Sequence, residues 1–253
     1  RTMTNGYTVD YDAFESAIQH NDVKVFIHCN PHNPVGHVWT EEEIARLFSI
    51  CKRHDVLIIS DEIHQDLITG PIPFRSALSV SNGAYADNMI TMSSVSKSFN
   101  MASLHHAEVI IPNDELRSQY NTYKALVYHT DSDVIAEAAI TAAYTHPGAK
   151  TWLNAALTVI RENYEYLCRE LLSALPKLRI SPMDGTYLAW IDFGAYVMAD
   201  DMHDIFENQC RIVPSFGEWF GGESYATFVR LNLATSLTNI KVATHSIIEH
   251  IQP

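Results

Sequence analysis

V-L-I-I-S-D-E-I-H-Q-D-L at residues 56–67 and M-I-T-M-S-S-V-S-K-S-F-N at residues 89–100 are the two stretches that decide the fold. Each begins with a short apolar run, which predicts a buried strand, and each then turns polar. V-K-V-F-I-H-C-N-P-H-N-P-V-G at residues 23–36 has the same form, and its strand is apolar nearly throughout. We therefore expect strands buried on both faces, with polar groups at their carboxyl ends, where open α/β sheets bind ligands.

Helices are expected between these strands. Thr40 followed by three glutamates predicts a helix start, and that helix runs to about Arg53. A further strand is expected at residues 107–112. Alternating strands and helices predict a doubly wound, mostly parallel α/β sheet with right-handed crossovers.

The pattern changes after Asn113. We expect a helix from Asp114 to about Tyr144, broken near Thr130, and another from Thr151 to about Leu175. A strand pair turning at Asp184-Gly185, a last strand at residues 227–234 and a terminal helix complete the chain. The interpretation is a large domain over residues 1–147, lacking its N-terminal part, and a small α+β domain over residues 148–253.

Composition excludes several classes of function. The chain has 253 residues, 47% of them apolar, and a formal net charge of −13, which argues against nucleic-acid or anionic-membrane binding. No apolar run is long enough to span a bilayer. Four cysteines without a C-x-x-C pair predict reduced thiols, and thirteen histidines without an H-E-x-x-H spacing predict no metal site. The first residues do not resemble a signal peptide, so we expect a cytoplasmic protein.

Lys97 lies three residues beyond its predicted strand, among small hydroxylic neighbours that include Ser94 and Ser96. A lysine amine in such a place can condense with an aldehyde cofactor, and hydroxyls at the following turn suit a phosphate. The alternative is a solvated lysine at a loop-to-helix junction, with Ser94 as an ordinary cap.

Three further side chains suggest binding roles. Asp61 ends an apolar strand, where a carboxylate needs a cationic partner; the alternative is a helix N-cap. Asn33 lies in a turn fixed by two prolines and a glycine, and could serve that turn alone. Arg230 interrupts the apolar strand F-V-R-L-N-L-A and must face a partner, either a ligand carboxylate or a structural ion pair.

The order and wording of these motifs resemble the fold-type I enzymes that use pyridoxal 5′-phosphate (PLP), the aminotransferase class I/II family. D-E-I-H, and N-P-H-N-P-V-G followed by Trp39-Thr40, resemble its cystathionine β-lyase-like C–S lyase branch. The resemblance implies PLP on Lys97, a small amino-acid substrate and a homodimer. It also implies that Asp61 holds the ring nitrogen, Asn33 the phenolic oxygen, Ser94 and Ser96 the phosphate, and Arg230 the substrate carboxylate.

Two positions depart from patterns common among aminotransferases of this family. His64 stands where D-x-x-Y would place a tyrosine that bonds the PLP oxygen. His105 stands eight residues after Lys97, where many aminotransferases carry a phosphate-binding arginine, so any charge there varies with pH. Tyr187 and Trp190, in G-T-Y-L-A-W, resemble a segment near the substrate entrance, although packing is the commoner role for such aromatics.

Three functions remain open at this stage. The first is a C–S β-lyase that cleaves S-substituted cysteines to thiol, pyruvate and ammonia. The second is an aminotransferase of the same fold, and the third is a non-catalytic module that binds a ligand or a partner protein. Members of the family are longer on the N-terminal side, so we expect this chain to be the C-terminal portion of such a protein.

Overall fold

The computed structural model describes residues 7–127 and 133–251, which sort into two compact units. The first unit comprises Thr8–Pro31 and Val38–Leu153. The second comprises Tyr7, His32–His37 and the chain from Asn154 onward. The domain boundary between residues 147 and 148 stays a prediction, and the helix break expected near Thr130 lies outside the described residues.

The first unit is built on a four-stranded sheet in the order β1-β2-β3-β4. Its parallel strands are β1 (Val25–Cys29), β2 (Leu57–Asp61) and β3 (Met89–Ser93), and β4 (Glu108–Ile110) pairs antiparallel with β3. In the register, Cys29 pairs with Asp61 and Asp61 with Met92, so the carboxyl ends of the parallel strands lie side by side. The predicted α/β class with a mostly parallel sheet is confirmed.

Helices follow the strands much as the sequence predicts. The helices that begin in this unit are α1 (Tyr11–Asn21), α2 (Glu41–Arg53), α3 (Val95–Ser98), α4 (Asp114–Val127), α5 (Val134–Thr145) and α6 (Pro147–Ala174). The predicted start of α2 is confirmed by a capping box, in which Thr40 Oγ1 accepts from Glu43 N and the Glu43 carboxylate accepts from Thr40 N. α6 begins four residues before the predicted Thr151, because proline at a first helical position has no N–H to leave unpaired.

The core of the first unit lies on one face of this sheet, where Ile44, Phe48, Ile58 and Met89 are buried together. On the other face of β1, Val25 is 44% exposed and Ile27 is 67% exposed. The expectation that β1 is buried on both faces is therefore wrong for the described residues. Among the described strands β1 lies at the edge of the sheet, and α2 packs against the face of β1 that carries His28.

The second unit has an antiparallel sheet in the order β5-β6-β8-β7. Its strands are β5 (Arg179–Ile180), β6 (Leu188–Asp192), β7 (Ser215–Phe216) and β8 (Phe228–Asn232), and its later helices are α7 (Glu218–Gly221) and α8 (Leu237–His250). The predicted strand pair, last strand and terminal helix are confirmed. The core between this sheet and its helices includes Leu167, Leu171, Phe193, Phe206 and Val229.

A search of the described residues for membrane spans finds no helix with the length and apolar character needed to cross a bilayer.

Candidate functional site

Asp61 ends β2 at the sheet edge predicted to bind a ligand. Its Oδ1 accepts the N–H of Ile63 at 3.1 Å, and its side chain is partly buried. The segment that follows is a turn closed by the bond from Leu67 N to His64 O, not a helix. Asp61 therefore does not cap a helix.

Glu62, which the sequence reasoning missed, is the buried carboxyl group at this edge. It is 2% exposed, and its Oε1 accepts from Ser60 Oγ at 3.0 Å and from Ala77 N at 2.7 Å. Burial raises the pKa of Glu62, and the neighbouring Asp61 carboxylate raises it further. Glu62 thus holds the chain at Ala77 against the end of β2, and a burial pattern alone would not have revealed it.

Lys97 lies in α3, directly beyond β3. β3 is the neighbour of β2, the strand that ends at Asp61. Its side chain is partly buried and forms no ion pair or hydrogen bond with any residue that the structure describes. Lysine is strongly hydrated, and partial burial without a partner is an unfavourable place for an ammonium group. The structure thus presents an amine at this end of the sheet that no group of residues 7–127 or 133–251 engages.

Ser94 caps α3, as its alternative interpretation predicted. Its Oγ accepts from Ser96 N at 3.0 Å and donates to His106 O at 2.7 Å, so its one hydroxyl proton is already engaged. The Ser96 hydroxyl forms no hydrogen bond within the described part of the chain. Of the two serines, Ser96 is therefore the better placed to donate to an anion.

A hydrogen bond joins the Asp61 segment to the Lys97 turn. Ser98, which is 3% exposed, donates from Oγ to Asp66 Oδ2 at 2.8 Å. Both residues lie inside the predicted motifs, but sequence reasoning gave neither a role. The structure brings Asp61 and Lys97 to one edge, and this bond fixes the turn that carries Lys97.

The two histidines differ in setting. His64 is 2% exposed in the turn after β2, and its predicted part in cofactor binding stays a prediction. His105 is exposed and adopts a left-handed conformation (φ 48°) at the end of a 3₁₀ turn over Ala102–Leu104. Its predicted part in phosphate binding stays a prediction.

Arg230, the predicted carboxylate-binding residue, lies in the second unit. It stands on β8 in one row with Trp190 of β6 and Ser215 of β7. Its Nη1 donates to Asn33 Oδ1 at 2.8 Å, its Nη2 donates to Ser215 Oγ at 2.9 Å, and its Cζ lies 4.7 Å from the centre of the Phe220 ring.

No carboxylate of the described residues forms an ion pair with Arg230, so the structural ion pair considered from the sequence is not found there. Burial lowers the pKa of Arg230 and the nearby Tyr187 raises it. An arginine nevertheless stays protonated at any physiological pH. The result is a half-buried cation held by neutral groups only.

Asn33 is oriented by this contact. A guanidinium has only donors, so the amide oxygen must face Arg230 and Nδ2 is left to donate elsewhere. The loop is fixed at Gly36 (φ 73°), whose carbonyl accepts from Asp184 N and Gly185 N, both at 2.9 Å. A Cβ on Gly36 would lie 3.1 Å from the Met183 Cα, so the loop and the predicted Asp184-Gly185 turn fit closely.

Trp190 has the packing role that its alternative predicted. It is 1% exposed, its Nε1 donates to the Tyr7 hydroxyl at 2.9 Å, and its ring stacks on Phe228. Tyr187 is partly buried near Arg230. Its burial raises its pKa and the guanidinium lowers it.

Known proteins place this architecture in a family. The model for aminotransferase class I and II matches residues 1–247, and the chain belongs to that family. It is 32% identical over 238 residues to cystathionine beta-lyase PatB of Bacillus subtilis (strain 168), covering 93% of this chain and 60% of that protein. It is 31% identical over 254 residues to Protein MalY of Escherichia coli (strain K12), covering 99% and 63%.

Solved structures agree. The PLP-bound C–S lyase from Staphylococcus hominis matches with a TM-score of 0.89 at 30% identity, over 97% of this chain and 61% of that one. A PLP-bound putative aminotransferase from Clostridium difficile 630 matches with a TM-score of 0.90 at 30% identity, over 96% and 62%. The chain thus spans about three fifths of the length of these relatives.

Proposed function

We propose that the protein binds PLP through Lys97 and acts as a C–S β-lyase. Its substrates would be cystathionine and related S-substituted cysteines, and its products thiol, pyruvate and ammonia. The observation that carries the proposal is Lys97, an amine without a partner among the described residues. It lies in α3, directly beyond β3, and β3 is the neighbour of β2, the strand that ends at Asp61. The likeness to PatB, MalY and the Staphylococcus hominis enzyme supports the C–S lyase branch.

The predicted cofactor-binding residues fit PLP in most respects. The Lys97 amine is available to an aldehyde, and Asp61 has one carboxylate oxygen beyond the one bonded to Ile63 N for a protonated ring nitrogen. Asn33 has its amide N–H groups to donate to the phenolic oxygen. The phosphate is less well provided for, because the Ser94 hydroxyl proton is engaged by His106 O. We assign the phosphate to Ser96 and His105. Ser94 supports the turn by accepting the N–H of Ser96.

Each residue then has one task. When bound, PLP supplies an electron sink for the negative charge that develops at the substrate α-carbon. Arg230 binds the substrate carboxylate with the three of its five N–H groups that Asn33 and Ser215 leave available. The Lys97 amine would take the α-proton of the substrate, and the Asp61 carboxylate would keep the ring nitrogen protonated. The Cβ–S bond would break, and the thiolate would leave with its electron pair. Water would then hydrolyse the remaining three-carbon product to pyruvate and ammonia.

The test is pyruvate release from L-cystathionine by the PLP-loaded protein, its Lys97→Ala variant and a Lys177→Ala control. Lys177 is an exposed lysine of the second unit, and its replacement removes the same charge. We expect pyruvate from the unmodified protein and from the control, and none above background from Lys97→Ala. Pyruvate release no higher than background from unmodified protein with bound PLP would contradict the lyase proposal.

An aminotransferase is the second candidate, favoured by the likeness to the putative aminotransferase from Clostridium difficile. The two reactions share every task given above to Lys97, Asp61 and Arg230. They differ in whether the substrate nitrogen stays on the cofactor. A half-reaction that yields pyridoxamine phosphate and a 2-oxo acid, without pyruvate from cystathionine, would favour the aminotransferase.

We further propose a cytoplasmic homodimer. Apolar side chains that are more than half exposed lie in the last turns of α4 and the first turn of α5, namely Tyr123, Leu126, Val134 and Ile135. Exposed apolar groups in such number are typical of protein contact surfaces. Sedimentation equilibrium that gives a monomer at micromolar concentration would argue against the dimer.

A further inference from the structure

We propose that Ser215 is a positioning residue that orients the Arg230 guanidinium toward a ligand carboxylate without neutralising its charge. Neither the sequence motifs nor the family resemblance drew attention to Ser215. The inference rests on the proposed function, because it takes Arg230 as the group that binds the substrate carboxylate. The inference adds Ser215 to the residues that serve binding of the substrate carboxylate. It also gives a reason why the residue at this position carries a neutral hydroxyl.

The geometry places Ser215 directly beside Arg230. The two residues pair across the antiparallel β7–β8 ladder, so their side chains leave the same face of the sheet. The hydroxyl accepts from Nη2 at 2.9 Å, while Asn33 accepts from Nη1 at 2.8 Å. Phe220 covers one face of the guanidinium, with its ring centre 4.7 Å from Cζ. Three contacts in three directions therefore fix the plane of the guanidinium.

The type of these contacts matters as much as their number. Both acceptors are neutral, and each occupies a single N–H, which leaves three N–H groups and the full positive charge for a ligand. A carboxylate at position 215 would instead take the guanidinium edge in a bidentate pair and compete with the substrate. A hydroxyl orients the guanidinium and leaves its positive charge unneutralised.

Orientation has value because an arginine side chain is long and loses rotamer freedom when it binds. Contacts that fix the guanidinium before the ligand arrives remove that loss from the binding step. The effect should appear for ligands that carry a carboxylate and should vanish for ligands that lack one. This difference separates positioning from a general contribution of Ser215 to folding.

The experiment compares two ligands on the PLP-loaded protein: S-methyl-L-cysteine and 2-(methylthio)ethylamine, which lacks only the carboxylate. Binding of each is followed by the change in cofactor absorbance, and kcat and KM are measured for S-methyl-L-cysteine. The variants are Ser215→Ala, Ser215→Thr and Ser215→Asp. Ser79→Asp is the control, because Ser79 is exposed in the first unit and gains the same negative charge.

We expect Ser215→Ala to weaken the amino acid by about five- to tenfold, mainly through KM, and to leave the amine unchanged. Ser215→Thr keeps the hydroxyl and should restore most of the affinity. Ser215→Asp should weaken the amino acid by at least about 100-fold while the thermal midpoint holds or rises, since it gains an ion pair with Arg230. Ser79→Asp should behave as the unmodified protein.

Equal weakening of both ligands by Ser215→Ala would overturn the inference, as would unchanged affinity for the amino acid. If Ser215→Asp does not fold, the Ala and Thr variants decide the question. An unmodified protein whose cofactor absorbance responds to neither ligand would refute the proposed function itself. If the cofactor absorbance of the unmodified protein responds to both ligands and the Ser215 variants respond as the unmodified protein does, only the role of Ser215 would be refuted.

Discussion

Replacing Asn163 with alanine should destabilise the second unit, and the structure gives the magnitude. Asn163 is fully buried in α6, and its Nδ2 donates to Leu233 O at 2.9 Å and to Thr235 O at 2.8 Å, just beyond β8. Each hydrogen bond contributes about 0.5–1.5 kcal/mol net, and a buried group left without its partner costs about 1–3 kcal/mol. Leu233 O keeps its bond from Thr235 N, and Thr235 is only partly buried, so the two lost hydrogen bonds alone give an expected loss of about 1–3 kcal/mol.

Urea unfolding, followed by tryptophan fluorescence, measures this loss as a shift in the midpoint at constant slope. Asn163→Asp is the matched variant, because it keeps the size of the side chain but loses both donors. At neutral pH its carboxylate would face two carbonyl oxygens, so we expect it to be at least as destabilised as the alanine variant. A loss below about 0.5 kcal/mol for alanine, or tolerance of aspartate, would refute the reasoning.

Three further predictions concern the first unit. Thr40→Ala removes the capping box of α2 and should lower the free energy of unfolding by about 1 kcal/mol in urea, whereas Thr40→Ser should not. Burial raises the pKa of Cys51 to about 12, so Ellman's reagent should leave it unlabelled until the protein unfolds; rapid labelling of the native protein would contradict this. Burial also raises the pKa of Glu62, so its stabilising contribution is complete below the unfolded pKa and is lost as pH rises through the folded pKa. Glu62→Gln should therefore be more stable than the parent at pH 7, with the difference vanishing near pH 4, and the opposite trend in thermal midpoints would refute it.

Local signals predicted most of the elements correctly. The start of α2 follows from Thr40 and the glutamates after it, because capping depends on neighbours in the chain. The burial of β1 was predicted wrongly, since an apolar run indicates a strand but not what covers each face. Ile27 is apolar and yet 67% exposed on the face that the described residues leave open.

The residues of the candidate site also fall into two groups, those that the sequence could predict and those that it could not. Parallel strands end at one edge of a sheet, so the proximity of the Asp61 and Lys97 segments could be predicted from the motifs alone. The partners of Arg230 could not, because Ser215 reaches it only through the strand register. Glu62 was missed for a related reason, since its donor Ala77 lies fifteen residues further along the chain.

The most direct test of the central claim is where PLP attaches. The protein and its Lys97→Ala variant are incubated with PLP, their absorbance is recorded, and both are reduced with borohydride and digested for mass spectrometry. We expect a band at the edge of the visible range that borohydride removes, and a pyridoxyl label on the peptide that contains Lys97. The variant should show neither. The same band in Lys97→Ala, or a label on another lysine, would contradict the account.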